Sequence, residues 1–280
     1  MPARPLAWPA AIGEKDMLLK QRYGPWALLV GGSEGVGEHL ARQLGAAGIN
    51  VILVARKPEP LAETARKVRA ESGVEVRTLQ LDLMRPDILE RLREVTEDVE
   101  IGLLVHNVAG NQAYGPFVDT TLEAALSAVL TSPVALTKLA HHYAIPMARR
   151  GRGGVLFTGS LAGNAGSYSL TTYAAAKAFT QIFGEGLWAE LQPRGVDVLV
   201  FPLGATDTPS RARYGTGDSD EMPVASSEEV ARQALAQLPN GPVYVAPENR
   251  PFFELMCTPD RRRVVEIQRD LQVSMLPDGV

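Results

Sequence analysis

The chain predicts one domain of doubly wound α/β architecture, built on a seven-stranded parallel sheet. Three observations carry this expectation. Strand-like and helix-like segments alternate from Trp26 to Ala246. The strand-like segments are continuous apolar runs such as WALLV (26–30), NVILVA (50–55) and IGLLVH (101–106), the pattern of strands covered by helices on both faces. A glycine-rich turn, GGSEGVG (31–37), follows the first of them, at the strand end where open α/β sheets bind ligands.

The elements follow in order. Beyond the glycine turn, Leu40, Leu44 and Ala47 share one face of a helix. After the strand NVILVA, residues 58–72 place Leu61, Ala65, Val68 and Ser72 at helical spacing. VEVRTLQL (74–81) is the third strand, and Ile88, Leu89, Leu92 and Val95 mark the next helix. IGLLVH is the fourth strand. A long helix spans 122–150, with a bend expected near Pro133 because proline removes a backbone donor. VLFTG (155–159) is the fifth strand, 171–192 a helix, VDVLVF (196–201) the sixth strand, 227–238 a helix and PVYVA (242–246) the seventh strand. Residues 204–224, rich in Gly, Pro, Ser and charge, read as a mobile loop. The domain is bounded at 24–247. Residues 1–23 read as an N-terminal extension, and 248–280 as a tail packed on the same domain, with one short helix near 259–272.

The 280 residues, 45% of them hydrophobic, suffice for a sizeable core. A net charge of −4 gives no basis for nucleic acid or an anionic membrane as partner. No apolar run reaches the roughly 18 residues of a membrane span. Glu14 and Asp16 interrupt the apolar start, so it does not read as a signal peptide. The one cysteine, Cys257, excludes an internal disulfide and suits a reducing cytoplasm. No metal is expected: His141 and His142 are adjacent and would diverge on a helix.

Two stretches carry chemistry. In the first, Gly31, Gly35 and Gly37 allow a tight turn and close approach of backbone to a pyrophosphate at a helix N-terminus. The spacing differs from the commoner G-x-G-x-x-G, and alone it reads equally as a plain turn. The second strand ends in Ala55-Arg56-Lys57, where an NAD binder usually places an acid for the ribose 2′-hydroxyl. Two cations there suit a 2′-phosphate and favour NADP(H) over NAD(H), without excluding the latter. Asp82 ends the third strand and Asn107 the fourth, on the crevice side.

The second stretch is SLAGNAGSYSLTTYAAAK (160–177). Tyr173 and Lys177 lie one turn apart on a helix face. A tyrosine titrates near pH 10, too high for ready proton transfer at neutrality, and a nearby ammonium favours the phenolate. Ser160, at a strand end, can hydrogen-bond a carbonyl oxygen. Together they would protonate a ketone as hydride arrives, or deprotonate an alcohol as hydride leaves.

VGGSEGVG (30–37), Asp82-Leu83, Asn107-Val-Ala-Gly110, Ser160, Tyr173-x-x-x-Lys177 and LGATDTP (203–209) occur in the order and spacing of the short-chain dehydrogenases/reductases, which the chain resembles over about residues 24–246. The resemblance implies a Rossmann-like fold and an NAD(P)-dependent oxidoreductase. Tyr173 would be the acid/base, Lys177 would lower its pKa and hold the nicotinamide ribose, and Ser160 would polarise the carbonyl. The resemblance also implies cofactor contacts from Gly31, Ser33, Gly35, Gly37, Asp82, Leu83 and Asn107, and from Gly204, Thr206 and Thr208 near the nicotinamide. It implies a homodimer or homotetramer paired through helices 122–149 and 171–192. Three departures stand out: Val30 in place of Thr, Leu203-Gly204 in place of Pro-Gly, and Ser132 where the family's fourth catalytic residue is an asparagine.

The expected activity is therefore NADP(H)-dependent interconversion of a small-molecule ketone or aldehyde and its alcohol, with Ser132 as the fourth site member. The rival is a cofactor-binding protein with little catalysis, motivated by Ser132 and Leu203. Asn111, Tyr114, Ala162, Tyr168 and Leu203 are candidate substrate walls beneath the 204–224 segment. Arg211, Arg213 and Tyr214 could meet an acidic substrate, although a solvated loop face explains them better.

Overall fold

The computed structural model describes residues 12–108, 115–214 and 224–275. Its strands are β1 (Trp26–Val30), β2 (Asn50–Ala55), β3 (Val76–Gln80), β4 (Ile101–His106), β5 (Gly153–Ser160) and β6 (Val196–Leu203). They form one parallel sheet in the order β3-β2-β1-β4-β5-β6. The strand order reverses between β1 and β4, which opens a crevice at their C-terminal ends. The helices are α1 (Ile12–Tyr23), α2 (Val36–Ala46), α3 (Pro58–Ser72), α4 (Ile88–Thr96), α5 (Leu122–Val129), α6 (Ala135–Arg150), α7 (Thr171–Leu191), α8 (Pro209–Tyr214), α9 (Ser227–Gln237), α10 (Arg250–Met256) and α11 (Arg261–Met275).

Alternate residues of each strand enter opposite layers. Leu29, Leu53, Val105 and Leu199 pack with α2, α3 and α9, whereas Leu28, Ile52, Leu104 and Val198 pack with α4, α6 and α7. This double burial is the physical reason for the continuous apolar runs.

Among the described residues the sheet has six strands, and the seventh expected at 242–246 does not form. Pro242 has no N–H to donate. Pairing with β6 is confined to Val200, whose N–H donates to Pro242 O at 2.8 Å and whose carbonyl accepts from Tyr244 N at 3.0 Å. Pro247 then starts a 3₁₀ turn and the chain leaves the sheet. A separate two-stranded pair, β7 (Thr206–Asp207) and β8 (Ala225–Ser226), flanks the crevice.

Residues from α1 plug the N-terminal end of the sheet. Tyr23 is fully buried, and its hydroxyl donates to Asp197 Oδ2 at 2.8 Å beside Arg22, which reaches the same oxygen at 2.6 Å. Burial raises the Tyr23 hydroxyl well above its ordinary pKa and also raises the Asp197 carboxyl, outweighing its two donors. Two strand glycines make room: a Cβ on Gly102 would overlap the carbonyl oxygens of Tyr23 and Gly24, and one on Gly154 would lie 2.8 Å from the Tyr23 ring.

The segment Leu122–Arg150 runs as α5, a π-helical turn at Leu130–Val134, and α6. By length and composition it is long and apolar enough to cross a membrane, which the apolar runs alone do not suggest. Leu136, Leu139, Tyr143 and Met147 are nevertheless buried on the sheet, as in the core helix of a folded domain. The tail forms two helices rather than one; Met256 and Val264 pack on Ala165 with Phe252 and Ile267.

Gly102→Ala should therefore destabilise the fold by about 1–3 kcal/mol, the usual cost of overpacking. Urea unfolding checks this through a lowered midpoint at unchanged slope.

Candidate active site

The crevice above β1, β4 and β5 holds a cavity of about 420 Å³. Its floor begins with the glycine turn. Gly31 adopts φ +88° and Gly35 φ +56°. A Cβ on Gly31 would overlap Asn107 O, and one on Gly37 would overlap Gly31 O. Asn107 ties the turn to β4: its Nδ2 donates to Gly31 O at 2.9 Å and its backbone N–H to Val30 O at 2.8 Å. Gly31 and Ser33 line the cavity, while Gly35 and Gly37 lie behind it, Gly35 facing the Thr208 side chain. No side chain caps the N-terminus of α2. A pyrophosphate fits such a cradle, because a helix N-terminus without a side-chain cap presents N–H donors to an anion.

At the end of β2, Arg56 and Lys57 line the cavity. The sequence reading missed Glu34, inside the turn. Its carboxylate pairs with Lys57 at 3.6 Å and with both terminal nitrogens of Arg213. These cations hold Glu34 below its ordinary pKa despite partial burial. At the end of β3, Leu81 and Leu83 form the wall. Asp82 does not: it turns its Oδ1 to the Met84 N–H at 2.9 Å, closing a local turn.

Ser160, Tyr173 and Lys177 come together. Lys177 is buried and donates to Val108 O and Thr158 O, each at 2.9 Å. It lies 5.8 Å from the centroid of the Tyr173 ring. Burial pulls the ammonium down to about 8. Ser160 Oγ accepts the Ala162 N–H at 3.3 Å, which leaves its O–H free to donate into the cavity. Ser160, Tyr173 and Lys177 all line that cavity with Gly204, Thr206 and Thr208.

Ser132 is buried in the π-helical turn, and it is the neighbouring Thr131 that reaches the cavity wall. Pro133 cannot donate, and the Ala135 N–H reaches back to Leu130 O instead of Thr131 O. His106 Nε2 bonds Thr131 O at 2.9 Å. A carbonyl only accepts, so the neutral ring carries its proton on Nε2. Burial, then the charge of Lys177, depresses His106 to about 4.

Of the candidate substrate walls, Ala162 and Leu203 line the cavity, Tyr168 does not, and Asn111 and Tyr114 fall outside the described residues. Arg211 and Arg213 also line it. The tail supplies a wall that sequence reasoning missed: Phe252, Gln268, Leu271 and Gln272. The one available signal was the apolar periodicity of 261–275, which says that the helix packs but not on what.

The profile of the short chain dehydrogenase family matches residues 25–218, and the chain belongs to that family of oxidoreductases. It is 32% identical to a 7beta-hydroxysteroid dehydrogenase of Clostridium sardiniense over 233 residues, 83% of this chain and 89% of the relative. The solved structure of a 7beta-hydroxysteroid dehydrogenase superposes with a TM-score of 0.83 at 27% identity, covering 89% of this chain and 98% of that one. A short-chain dehydrogenase from Sphingobium yanoikuyae, solved in complex with NADPH, has a TM-score of 0.73 and 30% identity over 92% of this chain and 98% of that one.

The buried lysine gives a pH signature. Between its folded value of about 8 and the 10.5 of an ordinary lysine, the unfolded chain holds a proton that the folded chain has released. Lys177 therefore adds stability as pH rises through that window, on the order of 3 kcal/mol in all, and below it the burial penalty is constant. Urea unfolding of the parent and Lys177→Met at about pH 7.5 and about pH 9.5 should show the difference shifting in the parent's favour at the higher pH.

Proposed function

We propose that this protein is an NADP(H)-dependent oxidoreductase that reduces a bulky ketone, or oxidises the corresponding secondary alcohol, with oxosteroids and hydroxysteroids as the leading substrate class. The observation that carries the reading is Lys177: a desolvated ammonium, fixed by two strand-end carbonyls, beneath the Tyr173 ring in a cavity shared with Ser160. The substrate class rests on the 7beta-hydroxysteroid dehydrogenase relatives and on apolar wall residues Leu203, Phe252 and Leu271.

A nicotinamide dinucleotide, when bound, supplies or accepts the hydride. The chain's own residues handle the proton. In reduction the Tyr173 phenol donates to the carbonyl oxygen; in oxidation the phenolate takes the alcohol proton. Ser160 donates a hydrogen bond to the same oxygen. Lys177 favours the phenolate, and with two N–H groups committed to carbonyls its third is left for the cofactor's ribose. Ser132 is assigned its place as the fourth site member by the family pattern alone. Its burial away from the wall keeps the weakly catalytic reading in view. The outward faces of α5–α6 and α7 expose Leu122, Leu126, Phe179 and Ile182, and these are the surfaces through which two or four copies would pair.

Tyr173→Phe should lower kcat by about 10²–10⁴-fold while NADPH binding, read by fluorescence titration, stays near parental. Near-parental turnover would move the acid/base elsewhere.

Cofactor choice rests on Arg56. Lys57 and Arg213 share Glu34, whereas Arg56 has no ion pair among the described residues. Arg56→Ala should weaken NADPH about tenfold to a hundredfold, as loss of a charge-assisted bond does, with little change for NADH. Equal weakening of both cofactors, measured by isothermal titration, would overturn the 2′-phosphate assignment.

A further inference from the structure

The tail helix α11 is seated by an apolar face and completed by amides. Val264 is 1% exposed and packs with Met256 and Ala165, with Ile267 alongside. Arg261 pins the start of the helix, donating to Asn164 O at 2.9 Å and Met256 O at 2.6 Å. One turn beyond Val264 stands Gln268, only 3% exposed and lining the same cavity as Ser160, Tyr173 and Lys177. Gln272, another turn on, lines it as well. The Gln268 amide makes no hydrogen bond among the described residues. Buried polar side chains are nearly always bonded, and an amide kept without a partner in a ligand cavity calls for one from the ligand.

We infer that Gln268, assisted by Gln272, recognises a second polar group on the substrate. That group is neutral, a hydroxyl or a second carbonyl, carried on an apolar skeleton whose other oxygen is the reacting one. An amide offers both a donor and an acceptor and can serve either form. The wall around it, Phe252, Leu203 and Leu271, takes the hydrocarbon. Recognition in this form strongly disfavours an analogue without the group, because the buried amide is then left unpaired. The inference rests on the reductase reading, and its test separates the two.

The experiment compares kcat/KM for two oxosteroids of one skeleton: a monoketone with no other oxygen, and the same ketone carrying one hydroxyl on the ring farthest from it. The parent should prefer the hydroxylated ketone about tenfold or more. Gln268→Met, close in size and without the amide, should erase that preference through KM rather than kcat. Gln268→Asn, which keeps a shorter amide, should retain part of it. Thermal unfolding gives an independent readout. Removing an unbonded amide that opens on the cavity should leave the melting temperature of Gln268→Met level or raised, whereas a purely structural glutamine would show a drop and equal losses on both ketones. A parent without preference, or a Met variant that retains it, overturns the inference while leaving the reductase reading intact. No turnover of either ketone or its alcohol with either cofactor overturns both.

Discussion

The site depends on the hold that two strand ends exert on one ammonium. Val108 follows β4 and Thr158 lies near the end of β5, and their carbonyls converge because parallel strands bring their C-terminal ends to the same side of the sheet. A lysine that is 3% exposed pays heavily in lost hydration, and charge-assisted bonds to two carbonyls offset part of this. The remaining penalty is what brings its pKa to about 8 and makes it responsive near neutrality. Neither strand end can shift without moving the ammonium relative to Tyr173.

The same strand end governs the glycine turn. Asn107 and Val108 are consecutive: Asn107 locks the turn through Gly31, and Val108 holds Lys177. The cradle at the start of α2 and the buried ammonium are thus fixed by adjacent residues of one strand exit. The absence of a Cβ at Gly31 and Gly37 is what lets the turn come this close. On the other side of β4, His106 bonds the carbonyl of Thr131 that the π-helical turn leaves out of the ordinary ladder. That bond satisfies one ring nitrogen, whereas Nδ1 is buried with no partner among the described residues.

The ends of the described chain close opposite ends of the sheet. Tyr23 and its neighbours seal the N-terminal edges of β4 and β5 against Gly102 and Gly154, a structural role far from the crevice. The tail packs on the loop after Ser160 and brings Phe252 and Gln268 to the cavity. A segment that reads as peripheral therefore contributes directly to what the cavity can hold.

The alternation of apolar runs and amphipathic helices determined the doubly wound sheet from the sequence alone, since burial on two faces requires it. Local spacing likewise determined the glycine turn, the cations after β2 and the Ser160–Tyr173–Lys177 trio, because a fixed helical turn or strand end carries each. Long-range geometry decided the rest. The segment 242–246 has strand composition, but Pro242 and the turn at Pro247 leave it a single bridge. Asp82 sits where an acid was expected to face the crevice, yet its carboxylate is taken by a local backbone donor. Glu34 meets Arg213 from 179 positions away, and Gln268 enters a cavity whose lining begins at the glycine turn in the first strand exit. Contacts of that separation leave no periodicity in the sequence; they exist only once the sheet and its helices have brought the chain back on itself.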